Sequence, residues 1–363
     1  MNERKALPIS KQLAYASGMM GWSMMINLIS VILIYLYAPT KDSGIPVFIT
    51  QMAIFGIFNA IALITAGGRL IDAIYDPFIA QVSDRSKHPR GRRIPIMKWA
   101  IFPSLIFCFL VFYPIFDKES NWNVVWLTFT LVGFYVSSTT YIIPYNALLP
   151  ELAPSSDDKV KLATWQSVGY VFGIGIASNA FNVTDLYMNE LGLNRVEALQ
   201  LTVLSFALLA TLFLFIPIWA INEKKLCVGK PSAIPMKIAL RQTLTNRNFL
   251  LFIVADFAYF IAITIITSGL IYFVTVLLQL PESIGNKLMI TMVLVSFLFY
   301  PIVNYLAKRI GKKIIVLVSL GFLSLIFLGV YSLGTWDIDP EVQIYGLIAC
   351  AAIPLASLNI LPN

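Results

Sequence analysis

The chain has 363 residues, of which 58% are hydrophobic and only 12% charged, with a mean hydropathy of +0.78. An ordinary soluble domain carries about 25% charged residues, so this composition excludes one and predicts an integral membrane protein. A lone histidine, His88, and three cysteines without metal-ligand or disulfide spacing exclude a His-based metal centre, a catalytic triad and a disulfide framework.

In chain order, apolar runs of membrane-crossing length, about 20 residues each, fall at 12–38, 50–83, 96–116, 122–149, 162–182, 199–221, 248–279, 285–306, 313–333 and 344–362. They are continuous rather than alternating, which predicts helices that satisfy their own backbone groups in lipid instead of barrel strands. The expected fold class is an all-α polytopic membrane protein with about ten spans. The opening "MNERKALPISKQ" resembles the charged start of a secretory signal, but the run behind it is too long and no small-residue cleavage site follows, so it reads as a first membrane helix.

The net charge of +7 is explained by position rather than by nucleic acid. With the N-terminus inside, the inner segments hold 21 of the 26 Lys and Arg; outer loops hold only Lys41, Lys118, Arg195 and Lys287, and Arg69 is intramembrane. That asymmetry predicts a multi-pass protein of the cytoplasmic (inner) membrane with its N-terminus in the cytoplasm.

Six runs precede the polar stretch 222–247 and four follow it. The expected domains are a six-helix bundle over 1–221, a cytoplasmic linker over 222–247 and a partial bundle over 248–363. "DRSKHPRGRR" (84–93) after the second run and "AKRIGKK" (307–313) after the eighth each set a glycine among cations, an echo expected of parallel repeats. Six-span repeats leave the second half two spans short, so the expectation is an incomplete C-terminal half.

Within the second run, "RLIDAIYDP" places Arg69, Asp72 and Asp76 on one helix face. A charge at the centre of a membrane helix costs about 2.5–3.5 kcal/mol, so this stripe must face protein or water. Two carboxylates one turn apart offer hard oxygen ligands to sodium, or share a proton because both resist ionising together. Pro77 removes a backbone donor and frees a nearby carbonyl. The bland alternative is that Arg69 neutralises one aspartate and the other snorkels toward the inner edge. Asp256, in the seventh run, is a second intramembrane acid and a candidate for coupling.

"RLIDAIYDPFIAQVSDRSKHPRGRRIP" resembles the second-helix signature of the glycoside, pentoside and hexuronide cation symporters, the melibiose-permease branch of the major facilitator superfamily. "YIIPYNALLPEL" (141–152) and "IPLASLNILPN" (353–363) are similar to that family's fourth-helix end and tenth helix. Ala80 stands where the superfamily loop motif has a glycine. The resemblance implies two pseudo-symmetric bundles that rock around a central site, and cation-coupled sugar transport with Asp72 and Asp76 as the cation carboxylates and Arg69 tuning their charge. It places Asp84, Arg85, Gly91 and Arg92 in a gating loop.

The chain departs from the pattern where the family grips sugar: Ser23, Ile142 and Gln166 stand at the positions of a helix-1 acid, a helix-4 acid and a helix-5 arginine, and Tyr75 replaces a small polar residue. Trp22, Ser23, Tyr141, Tyr145, Asn146, Trp165 and Gln166 are the substrate-contact candidates, as aromatic faces suit sugar rings and amides suit hydroxyls. The expected function is symport of a sugar or glycoside with sodium or a proton as coupling ion, no other cofactor, membrane lipid as a partner, and neither nucleic acid nor enzymatic chemistry. The alternatives are transport of a lysolipid or other amphipath by the same fold, or an inactive fragment.

Overall fold

The computed structural model describes residues 7–39, 44–52, 60–227, 236–280 and 283–360. Every regular element among them is helical. The chain divides into two compact units, Met1–Ala233 and Ile234–Asn363, a division that falls inside the segment 222–247.

The first unit contains α1 (Ile9–Tyr37), α2 (Ala60–Arg85), α3 (Ile94–Leu110), α4 (Asn121–Leu152), α5 (Ser156–Ala177), α6 (Ala180–Leu191), α7 (Arg195–Ala220) and the single turn α8 (Glu223–Leu226). The second contains α9 (Met236–Thr245), α10 (Arg247–Tyr272) with a π-helical end over Phe273–Leu277, α11 (Ser283–Ile310), α12 (Lys312–Tyr331) and α13 (Pro340–Ile360). Among the described residues seven helices, α1, α4, α7, α10, α11, α12 and α13, are long and apolar enough to cross a membrane, and α3 is a shorter apolar helix. The charges of the α2 stripe and the Asp157–Lys161 start of α5 dilute these two helices, although the second and fifth apolar runs lie on them.

Two expected boundaries are corrected. Residues 50–52 are irregular rather than helical, because this stretch is tied down sideways: Gln51 donates to the Tyr37 carbonyl, and the Phe48 carbonyl accepts from Ser120 N and Asn123 Nδ2. Residues 53–59, 228–235 and 361–363 lie outside the described residues. The fifth run breaks at Ser178–Asn179, and its continuation, α6, is held to α7 by Thr184–Thr202 and Tyr187–Ser205 hydroxyl contacts of 3.0 Å each.

In the first unit α1 is the hub, packed on α5 and α7 with Met24, Met25, Leu28, Ile32 and Leu36 buried. A Cβ at Gly173 would overlap Ser23 Oγ and the Met20 carbonyl, so glycine there lets α5 lie directly on α1. Helix starts carry their own signals: Ser120 caps α4, and Asn194 and Glu197 form a capping box on α7. In the second unit Tyr259, Ile266 and Leu270 of α10 join a core with Leu288, Leu323, Ile326, Ile344 and Ile348.

Features of the repeat recur in both units. Pro77 of α2 and Pro301 of α11 each precede an arginine, Arg85 and Arg309, by eight residues within the same helix. The loops that follow turn on Gly91 (φ +128°) and Gly311 (φ +86°). On the opposite side, Asn123 of α4 clamps its preceding loop through the Phe116 and Lys118 carbonyls, as Gln343 of α13 does through those of Trp336 and Ile338.

Candidate functional site

The charged stripe of α2 lies against α4. Gly68 lets the two helices meet closely, since a Cβ there would stand 2.7 Å from the Tyr135 ring. At the next residue, the Arg69 guanidinium sits over that ring, 4.7 Å from its centroid, a cation–π contact that holds a half-exposed charge over an aromatic face. Arg69 Nη1 is 3.8 Å from Asp72 Oδ2, and Thr139 of α4 donates its hydroxyl to Asp72 Oδ1. Tyr75 OH meets Thr140 Oγ1 at 3.1 Å. Thus Arg69, Asp72 and Tyr75 are each answered by a residue of α4.

Asp76 is not. Among the described residues its carboxylate accepts no hydrogen bond and forms no ion pair, although it is half-buried one turn from Asp72. The pair is therefore asymmetric: one carboxylate is held by a hydroxyl and faces a cation, and the other keeps its oxygens available to a ligand. Tyr135, Thr139 and Thr140 were not picked out from the sequence. Their signal was the hydroxyl-rich stretch "YVSSTT" (135–140) in an otherwise apolar helix.

The substrate-contact candidates separate into two groups. Tyr141 and Tyr145 are fully buried core residues. Tyr145 stacks on Tyr15 with ring centroids 4.4 Å apart and donates to the Tyr15 carbonyl, while Tyr141 donates to that of Leu214. Ser23 is buried as well, at the α1–α5 crossing, where its hydroxyl donates to the Tyr170 carbonyl at 2.9 Å. In each case the hydroxyl is already spent on backbone.

The other group has polar atoms that are not spent on backbone. Gln166 donates to Asn146 Oδ1 at 2.7 Å, joining α5 to an exposed amide on α4. Trp22 lies beside Tyr170 with ring centroids 6.5 Å apart, and its buried indole N–H has no acceptor. Trp165 is half-buried on α5. Asp256 is half-buried in α10 of the second unit.

At the charged end of the first unit the gating residues enter a tight network. Glu223 of α8 accepts from the backbone N–H groups of Arg92 (2.7 Å), Arg93 (3.0 Å) and Ile94 (3.0 Å), so a carboxylate from beyond α7 caps the start of α3. Glu151, at the end of α4, binds Arg92 Nη2 at 2.6 Å and Arg93 Nη2 at 2.9 Å, and Asp84 lies 3.3 Å from Arg93 Nη2. A side chain at Gly91 would overlap the Glu223 carboxylate, and its positive φ also favours glycine. Arg85 lies exposed in the last turn of α2. Arg93 stands out in the sequence as one of a cluster of cations, with Arg85, Lys87, Arg90 and Arg92, but sequence reasoning missed Glu151 and Glu223. A helix-ending Pro-Glu and an Asn-Glu after an apolar run were the available signals.

This arrangement can be set beside known proteins. A family model described as "MFS/sugar transport protein" matches residues 14–361. The chain belongs to that family. It is 23% identical over 310 residues to the isoprimeverose transporter of Lactiplantibacillus pentosus, covering 85% of this chain and 61% of that protein. It is 22% identical over 357 residues to the uncharacterized symporter YnaJ of Bacillus subtilis, covering 97% and 72%. Among solved structures the proton:xylose symporter XylE shares its fold, with a TM-score of 0.61 at 13% identity over 97% of this chain and 81% of that one. The match to the isoprimeverose transporter thus spans less than two thirds of that relative's length. Family, fold and motif agree on a multi-pass membrane protein of the glycoside-pentoside-hexuronide:cation symporter family, which is a family of transporters and not of enzymes.

Proposed function

We propose that the protein couples movement of a sugar or glycoside to that of sodium or a proton by alternating access, in a cytoplasmic membrane with its N-terminus inside. The observation that carries this reading is the asymmetry of the carboxylate pair. Asp72 is held in place by Thr139 and Arg69, and Asp76, with both oxygens uncommitted, is the group that takes the ion. Sodium would find hard oxygen ligands there, and a proton would relieve the repulsion between two carboxylates one turn apart. Coupling then requires that the ion raise the affinity for sugar and that sugar reciprocally raise the affinity for the ion.

Trp22 supplies an aromatic face and an unclaimed N–H donor, and the Gln166–Asn146 pair supplies amides for sugar hydroxyls. The orientation rests on the 21 of 26 cationic residues that lie on one side of the predicted spans.

The test is uptake into vesicles of labelled glycosides and, as a separate panel, lysolipids, with imposed sodium or proton gradients, for wild type and Asp76→Asn. Gradient-driven accumulation of a glycoside by wild type is expected, and the variant is expected to equilibrate without accumulating. Accumulation that survives the substitution would reject Asp76 as the coupling group, and accumulation of lysolipid alone would reject the sugar reading.

A further inference from the structure

A groove of about 680 Å³ runs between α3 and α4 on the outside of the first unit, lined by Trp99, Pro103 and Phe107 on one side and Phe129, Val132 and Val136 on the other. From Ile96 to Phe107 it follows 11 residues of α3, about 16 Å of helix, close to one leaflet of a hydrocarbon core about 30 Å thick. Each of its hydroxyls donates to its own helix: Thr128 to Val124 O, Ser137 to Gly133 O and Thr140 to Val136 O, each at 2.7 Å, and Thr140 Oγ1 also meets Tyr75 OH. The wall therefore offers mainly methyl and ring surface, with its hydroxyl protons already placed. An alkyl chain fits it.

The charged end of the groove is chemically different. Trp99 is 81% exposed, and Lys98 beside it is exposed as well. Lys87 and Arg90 in the loop just before α3 are exposed too, and none of these three cations pairs with a carboxylate among the described residues. The acids of this end are taken elsewhere, Glu151 and Asp84 by Arg92 and Arg93 and Glu223 by backbone N–H groups. A tryptophan at the mouth of a leaflet-long apolar groove, with unpaired cations in the same turn of α3 and in the loop before it, supplies the anchors expected at headgroup depth.

We infer that the α3–α4 groove is a resident site for an anionic phospholipid, with one acyl chain in the groove and the headgroup on Lys98 and the α2–α3 loop cations. With the orientation proposed above, the lipid belongs to the cytoplasmic leaflet. The site also touches the transport machinery from behind. Val136 and Thr140 line the groove, while Thr139 of the same turn donates to Asp72 and Thr140 itself meets Tyr75. A seated chain braces the turn of α4 that holds the cation stripe.

Native mass spectrometry of the protein in mild detergent, with equimolar dioleoyl-phosphatidylglycerol and dioleoyl-phosphatidylcholine, tests this. Wild type is expected to retain phosphatidylglycerol in clear excess. Lys98→Gln should cut that preference about fivefold, the effect of one cation near an anionic headgroup. Val132→Phe, which fills a partly exposed wall position, should reduce retention of both lipids. Equal retention of the two lipids by wild type, a preference unchanged in Lys98→Gln, or retention unchanged in Val132→Phe would each overturn the site. None of these readouts uses transport, so the result stands apart from that of the symport assay.

Discussion

Helices α2 and α11 occupy the same place in the two units, each with a proline eight residues before its last-turn arginine and a positive-φ glycine in the loop behind. On that shared frame they carry different chemistry. Five residues before the proline stand Asp72 in α2 and Ser296 in α11, and directly before it stand Asp76 and Tyr300. Ser296 bonds its own helix at Met292 O (2.8 Å) and reaches Ala352 O of α13 (3.2 Å), just as Asp72 reaches α4. The α11 frame stands with a neutral hydroxyl and a buried tyrosine. The α11 frame therefore stands without carboxylates at these positions, which fits the proposal that α2 carries them to hold the coupling ion.

The sharpest way to break this comparison is to neutralise each side in turn. Asp72→Asn keeps an acceptor for Thr139 but removes the charge, and gradient-driven accumulation in the vesicle assay is expected to fall about tenfold or more, whereas Tyr300→Phe should leave it within about twofold. Equal losses would mean that the two helices share one role. Next in size is a stability contrast between the two loop glycines, read as unfolding in detergent. Gly91→Ala displaces the Glu223 carboxylate as well as straining a positive φ and should cost about 3–5 kcal/mol. Gly311→Ala has no heavy atom within 4 Å of its new methyl group and should cost about 1 kcal/mol, the conformational term alone. Smaller still, Ser296→Ala loses one ordinary hydrogen bond, about 0.5–1.5 kcal/mol.

A final contrast concerns reactivity rather than stability. Burial, with added repulsion from Glu151 and Glu223, pushes the Cys227 thiol up to about 12. A raised pKa keeps the thiol protonated at neutral pH, so maleimide labelling at pH 7.5 should run about tenfold or more below that of an unhindered cysteine. Glu151→Ala, which opens the network, should speed it. Labelling of wild type at the rate of a free thiol would show that this end is loosely packed.

Much of the architecture was legible in the sequence because lipid imposes one rule everywhere: backbone groups must be satisfied within the segment. That rule located the long helices, and charge asymmetry gave the orientation put forward here. It could not see the break at Ser178–Asn179 or the irregular run at 50–52, since one or two polar residues such as Ser178–Asn179 or Thr50–Gln51 do not by themselves interrupt an apolar run. Asp72 and Asp76 were legible because intramembrane acids are costly. Thr139, which holds Asp72, was not, because a threonine in a membrane helix ordinarily bonds its own backbone and costs nothing. The burial of Tyr141 and Tyr145 was not legible either. An aromatic residue near a motif looks the same in sequence whether its ring faces a cavity or stacks on Tyr15.

The Glu223 cap has a consequence for how the protein is made. Its contacts at the start of α3 join residues 129 to 131 positions apart in the chain. While the ribosome is still delivering α4 to α7, the N–H groups of Arg92, Arg93 and Ile94 have no Glu223 carboxylate to meet, although Asp84 and Glu151 can already pair with Arg92 and Arg93. The cap itself can close only once α8 has emerged, which makes it a late contact in synthesis.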